Sequence, residues 1–197
     1  MRTLDLGARV LSIAEDFSLC NEAAAVVWDA ALTLVYYLQR HPDLVAGKRV
    51  VELGCGTGAV SCAAAALGAA QVTSTDLPHV VPLVRSNIQA NELTAVTAAP
   101  LAWGESVAAL HPPFDVVLAS DVLYQAEALS LFVQSLRELS SPSTLTLLCN
   151  EHRPALPFPW QLFWDAGFVV QQVPTSEQHP DWSSDDILLF HIRVASA

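Results

Sequence analysis

One stretch constrains this chain more than any other: Val50-Val51-Glu52-Leu53-Gly54-Cys55-Gly56-Thr57-Gly58-Ala59-Val60. Val50, Val51 and Leu53 are β-branched or large apolar residues that run straight into glycines, the pattern of a buried central strand in a parallel sheet. Three glycines at alternate positions let the backbone turn sharply and approach a ligand, because no Cβ stands in the way. The helix predicted over about 59–67 points its unpaired N–H groups back at that turn. Strand, turn and helix together make a ligand cradle.

Two classes of cofactor site are built this way. Gly54, Gly56 and Ala59 satisfy the G-x-G-x-x-A spacing of a dinucleotide fold. Glu52, Gly54, Gly56 and Gly58 satisfy the E-x-G-x-G-x-G pattern of S-adenosylmethionine sites. Both classes want an acid at the end of the next strand to hold a ribose diol, and Asp76 follows Gln71-Val72-Thr73-Ser74-Thr75. Asp76 has a rival role as a helix cap, since Leu77-Pro78 follow. Its place at a carboxyl strand end, where open α/β sheets bind ligands, favours the ribose role. Glu52 tips the choice toward the methyl donor, because a strand-borne acid just ahead of the turn suits a cationic ligand better than a pyrophosphate.

Composition narrows the partners. The 197 residues are 52% apolar and 15% charged, enough for one domain with a full core. Twenty acids stand against nine bases, a net charge of −11, and Lys48 is the only lysine. Phosphate backbones and anionic lipid require a basic face, so no nucleic acid and no membrane are expected as partners, whereas a basic protein is electrostatically welcome. Cys20, Cys55, Cys62 and Cys149 form no C-x-x-C pair and suit a reducing interior, which gives a cytoplasmic (or nuclear) expectation. Arg2, Asp5 and Arg9 interrupt any apolar leader. The uncharged run from Leu53 to Thr75 is long enough for a membrane span, but its glycines divide it into strand, helix and strand.

Arg9 to Glu15 alternates as a short edge strand. A helix is predicted from about Glu22 to Gln39, capped by Asn21 and ended by His41-Pro42, with Trp28, Ala31, Leu32, Val35 and Leu38 on one buried stripe. Strands are then predicted at 49–53, 71–75, 96–101, 114–120 and 144–149, with helices at 59–67, 79–91 and 126–139. A short helix to about Asp165 precedes two strands, 168–173 and 187–194, that close the sheet as an antiparallel pair. Such alternation implies an α/β fold with a doubly wound, Rossmann-like, seven-strand sheet of the methyltransferase kind, mostly parallel with an antiparallel C-terminal pair. A single domain over 1–197 is expected, with 1–47 an extension packing on the sheet and 48–197 the core. The polar segment 174–186, with Glu177, Asp181, Asp185 and Asp186, reads as a solvated loop or as a lip that attracts a basic substrate.

Asp121 and Tyr124 follow the predicted strand 114–120, again at the ligand edge. No prolines separate them, so the D/N-P-P-Y/F motif of adenine-amino methylases is missing. Asp121 as a helix cap and Tyr124 as a core ring are the alternative roles. No His, Cys and acid cluster has ligand spacing, and no metal is expected. His111, His152 and His179 lie among prolines and loops.

Several motifs in order carry a resemblance: Val27-Trp28-Asp29-Ala30-Ala31, the Glu52 to Gly58 turn, Thr75-Asp76-Leu77, Asn87-Ile88-Gln89-Ala90-Asn91, Leu101-Ala102-Trp103-Gly104 and Asp121-Val122-Leu123-Tyr124. Over about residues 8 to 194 the chain resembles methyltransferase family 16, seven-strand protein-lysine methyltransferases that act on non-histone proteins. The glycine motif is common to many methyltransferases; the leading Trp, the Trp-Gly pair and D-x-x-Y together are more specific. The resemblance implies S-adenosylmethionine as cofactor, contacted by Trp28, the Gly54-Cys55-Gly56 turn, Asp76, Trp103 and Ala119, and a protein substrate with an exposed lysine. Glu52 and Leu77 are expected to complete the cofactor site, Asp121 and Tyr124 to act as catalytic residues, and the acidic balance adds the expectation of a basic neighbourhood around the lysine, met by a monomer. Small-molecule methylation and a catalytically silent cofactor-binding module are the alternatives. After Trp103-Gly104 the chain reads Glu105-Ser106-Val107-Ala108-Ala109-Leu110 where the family commonly has a polar run, and its tail is proline-rich, so substrate contacts do not carry over.

Overall fold

The computed structural model describes residues 1–16 and 23–195. Two short strands, β1 (Arg2–Asp5) and β2 (Val10–Ile13), form an antiparallel hairpin. After α1 (Asp29–Arg40) the alternation runs β3 (Arg49–Leu53), α2 (Ala59–Ala66), β4 (Gln71–Asp76), α3 (Val81–Ala90), β5 (Val96–Pro100), β6 (Val116–Ser120), α4 (Leu129–Leu139) and β7 (Leu145–Glu151). The chain closes with α5 (Trp160–Asp165), β8 (Phe168–Gln172) and β9 (Ile187–Val194). Sheet order is β5-β4-β3-β6-β7-β9-β8, parallel through β7, with β9 antiparallel to both its neighbours. The doubly wound seven-strand sheet is therefore as expected. The last strand enters between β7 and β8 and alone runs against the rest.

Strand alternation splits the core in two. Val50, Val116 and Leu118 join one apolar cluster with α1, α2 and the hairpin, while Val51, Leu53, Val117 and Ala119 join a second with α4 and α5. Small residues make the first layer thin: Ala59, Cys62, Ala63 and Ala64 on α2 are all buried, so that helix lies close against its neighbours.

Two local expectations are corrected. The strand near Arg9 to Glu15 is no edge of the main sheet but pairs with β1, and the pair is tethered to α3 by asparagines. Asn91 Oδ1 accepts from the Ser12 N–H at 2.9 Å and its Nδ2 donates to the Ser12 carbonyl at 2.8 Å; Asn87 Oδ1 accepts from the Ala14 N–H at 2.8 Å. The leading helix also starts at Asp29, seven residues later than predicted from about Glu22. Glu15 Oε1 captures the Val27 N–H at 3.1 Å and Trp28 is extended at φ −76°, ψ 157°, so the helical stripe cannot run back through them. The Asn21 cap and Cys20 lie outside the described residues. Among the described residues no helix is long and apolar enough to cross a membrane.

Candidate active site

The carboxyl ends of β3, β4 and β6 open onto a cavity of about 230 Å³, as the switch-point rule for open α/β sheets requires. Its floor is the glycine turn. Gly54 has φ +69°, and a Cβ there would stand 3.0 Å from Trp103 Cζ2 and from Val122 Cγ1. Gly56 has φ +53°, and a Cβ there would meet the Ala24 carbonyl oxygen at 3.0 Å. Both positions therefore require glycine on two grounds, backbone hand and space. Asn87 secures the turn from behind, donating from Nδ2 to the Thr57 carbonyl at 2.9 Å.

Asp76 stands at the end of β4 with its carboxylate beside the turn. Oδ2 accepts the Gly56 N–H and Oδ1 its neighbour Leu77's N–H, each at 2.7 Å. These two backbone bonds orient the carboxylate at the cavity wall. Trp28, Leu77, Trp103, Tyr124 and Leu131 give the cavity an apolar wall. Trp103 is braced edge-on by Phe132 at 5.1 Å, whereas Trp28, at the start of α1, is 46% exposed. Trp28 thus faces the cavity rather than lying on the buried stripe of α1, because the helix begins one residue after it. Cys55 lines the floor, and burial holds its thiol well above the usual range, so it stays protonated.

Two predicted cofactor residues take other places. Glu52 is absent from the cavity lining: it is fully buried, and its Oε2 accepts from the N–H of Ser61 at 2.8 Å and from the Ser61 hydroxyl, on α2. Burial pushes this carboxyl up to about 8 despite the Ser61 hydrogen bonds, so the acid ties β3 to α2 and presents no exposed negative charge to a cationic ligand. Ala119 is likewise fully buried, its side chain on the α4 face of β6, and Ser120 and Asp121 line the cavity after it.

Asp121 and Tyr124 both line the cavity, Asp121 at the end of β6 next to the turn that ends β3. Asp121 turns the chain out of β6 with φ +53°, its N–H held by the Cys149 carbonyl at 2.8 Å. Its Oδ1 and Oδ2 each accept from Arg153, at Nη1 and Nη2, at 2.9 Å. Arg153 also meets Glu151 Oε2 at 2.8 Å. The Tyr124 phenol is pushed above its usual value, by burial first and then by the Asp76 and Asp121 carboxylates, so it remains a neutral donor. Asn150 Oδ1 accepts the Leu123 N–H at 2.9 Å and fixes the loop between the two residues.

Arg153, Asn150 and Leu131 are the participants that sequence reasoning missed. Asn150 and Arg153 carried a weak signal, following the strand 144–149 that was expected in the sheet; Arg153 lies in a proline-rich stretch that no motif marks. The acidic segment 174–186 is partly docked: Gln178 is buried, the Trp182 ring stacks on Tyr36 at 4.6 Å, and His41 Nε2 hydrogen-bonds the Glu177 carbonyl at 2.9 Å.

The family model described as lysine methyltransferase matches residues 6–157. Protein N-lysine methyltransferase METTL21A of Danio rerio is 42% identical over 131 residues, 64% of this chain and 59% of that protein. The protein of the same name from Mus musculus is 35% identical over 88% of this chain and 81% of its own length. EEF1A lysine methyltransferase 3 of Xenopus tropicalis is 34% identical over 73% of this chain and 64% of its own length. The chain thus spans about three fifths of the length of the Danio and Xenopus relatives. Among solved structures, an RNA methyltransferase assigned in Pyrococcus horikoshii superposes with a TM-score of 0.67 at 17% identity, covering 94% of this chain and 93% of that one. A Thermus thermophilus 16S rRNA methyltransferase in complex with AdoMet and guanosine superposes at 0.65, with 20% identity, over 88% of this chain and 45% of its own. These last two show a shared fold.

Proposed function

We propose that this chain, which belongs to the lysine methyltransferase family, is an S-adenosylmethionine-dependent enzyme that methylates a lysine amine of a protein. One observation carries the reading: the glycine turn, Asp76, Asp121 and Tyr124 all line a single cavity. The residues present fit the cofactor. The glycine turn lines the cavity, the Asp76 carboxylate stands beside it at the end of β4, and Trp28 and Trp103 supply flat apolar walls for the remainder.

S-adenosylmethionine supplies an electrophilic methyl carried on a sulfonium, and an acceptor must meet it with a free lone pair. The protein's task is alignment and proton handling. Near-attack positioning brings nucleophile and carbon to about 3–3.5 Å. A free lysine has a pKa of about 10.4 and arrives protonated. A carboxylate beside it favours the ammonium, so Asp121 serves as an anchor that accepts N–H bonds and aims the lone pair, while the proton leaves to water. Tyr124 walls the lysine channel, where its ring face tolerates an alkylammonium.

The net charge of −11 supports an acceptor lysine in a basic neighbourhood, and argues against nucleic acid and anionic membrane as partners. We place the enzyme in the cytoplasm or nucleus, acting as a monomer. Calorimetry tests the cofactor. S-adenosylhomocysteine is expected to bind with one site, and NAD and NADP to give no heat; tight dinucleotide binding without a response to the methyl donor reverses the reading.

A further inference from the structure

We propose that Arg153 is a positioning residue that presents Asp121 to the acceptor amine as a charge-balanced acceptor, a role that rests on the lysine reading above. The geometry is two-point. The guanidinium meets both carboxylate oxygens at 2.9 Å, while Asp121 lines the cavity and Arg153 does not, so the cation approaches from behind. The Asp121 side chain is 8% exposed against 30% for Arg153. Each oxygen spends one lone pair on the guanidinium, and Oδ1 also takes the Glu151 N–H at a long 3.4 Å. A lone pair on Oδ2 remains for an N–H of the acceptor.

The arrangement resolves a conflict in the chemistry. A bare carboxylate next to a lysine holds the ammonium form and opposes loss of its proton. A guanidinium is always charged and fits a carboxylate in this fork, so it offsets that field without removing the hydrogen-bond acceptor. The other ionisable groups around the site do not replace it. Glu151, from the end of β7, is half exposed and screened by water, and Asp76 faces from β4 across the cavity. Tyr124 and Cys149 are both held protonated by burial, and the ring of His152 stacks on Phe158 at 5.9 Å. Arg153 is thus the cation that sits on Asp121.

The chain has three tyrosines, Tyr36, Tyr37 and Tyr124, so the phenol beside Asp121 can be titrated by carbon-13 NMR at Cζ, with Tyr124→Phe for assignment. Arg153→Gln should raise the Tyr124 midpoint by about half a unit or more, because the Asp121 charge is no longer balanced. Arg153→Lys should hold it near wild type, and S-adenosylhomocysteine affinity should stay within about twofold in both variants. An unmoved Tyr124 in a folded, ligand-binding Arg153→Gln overturns the proposal. Should that variant not fold, Asp121→Asn leaves the guanidinium unbalanced and must lower the midpoint; no change overturns it equally. In turnover, measured as labelled methyl entering protein of a cell lysate, Arg153→Gln should lose rate several-fold at pH 7 and pH 9 alike, because both lie below the lysine pKa of about 10.4 and the free-amine fraction falls by the same factor, while Arg153→Lys should restore most of it. An unchanged rate in Arg153→Gln would overturn the proposal. If wild type labels no protein at all, the lysine reading fails, while the tyrosine titration still decides whether Arg153 balances Asp121.

Discussion

Glu52 shows how one side chain can answer to two roles. Its position in the glycine motif suggests a ligand for a cationic cofactor, yet in the fold it is a buried acid bonded to Ser61. Its carboxyl rises from 4.5 unfolded to about 8 folded, so the native state holds the proton more tightly. That contribution to stability is complete below about 4.5 and is lost as pH climbs through about 8. Glu52→Gln cannot titrate there. The melting temperature of wild type minus that of Glu52→Gln should therefore fall steadily between pH 5 and pH 8.5, and a flat difference would show the acid to be unperturbed. Asp76 and Asp121 separate in another way. Asp76→Ala should weaken S-adenosylhomocysteine by about 1.5–3 kcal/mol, the worth of a hydrogen bond to a charged group. Asp121→Ala should leave that affinity nearly unchanged and abolish turnover. Equal losses of affinity in calorimetry would move Asp121 into the cofactor shell.

At the scale of elements, the hairpin, α3 and the glycine turn form one mechanical unit through Asn87. Its side chain accepts from the Ala14 N–H and donates to the carbonyls of Ala14 and Thr57, at 2.8 to 3.1 Å. Asn87→Ala would strand these buried groups. We expect a loss of about 2–4 kcal/mol in denaturant unfolding and a weaker cofactor site, since a buried group left unsatisfied costs about 1–3 kcal/mol; a change below about 0.5 kcal/mol would contradict the tether. Elements of this kind were unevenly legible in the sequence. Strands β3 and β6 announce themselves because both faces are buried, with Val50, Val51 and Leu53 in β3 and all but the last residue of β6 apolar, and Gly54 and Gly56 because no other residue fits. The start of α1 did not, because its apolar stripe continues past Trp28 and only the distant Glu15 stops it. The pairing of β2 with β1 was hidden for the same reason, as its asparagine partners lie about 80 residues away on α3. The neighbours that hold Asp121 were hidden too: Arg153 lies 32 residues on, in a loop whose prolines give no period.

The whole molecule places an apolar-walled cavity in a protein of net charge −11, and that pairing decides which acceptors can approach. On the proposed reading, a lysine on a basic partner would be drawn in by the long-range field, and the cavity would then strip water from its side chain. Small neutral acceptors gain nothing from the charge. The most direct test is mass spectrometry of a cell lysate incubated with S-adenosylmethionine carrying a labelled methyl group, comparing wild type with Asp121→Ala. The predicted result is label on a lysine of one or a few proteins, absent with Asp121→Ala. Initial rates at low substrate should fall as salt rises from about 0.05 to 0.5 M, where screening shortens from over about 10 Å to under about 5 Å. Label confined to a low-molecular-weight fraction and indifferent to salt would contradict the protein-lysine account.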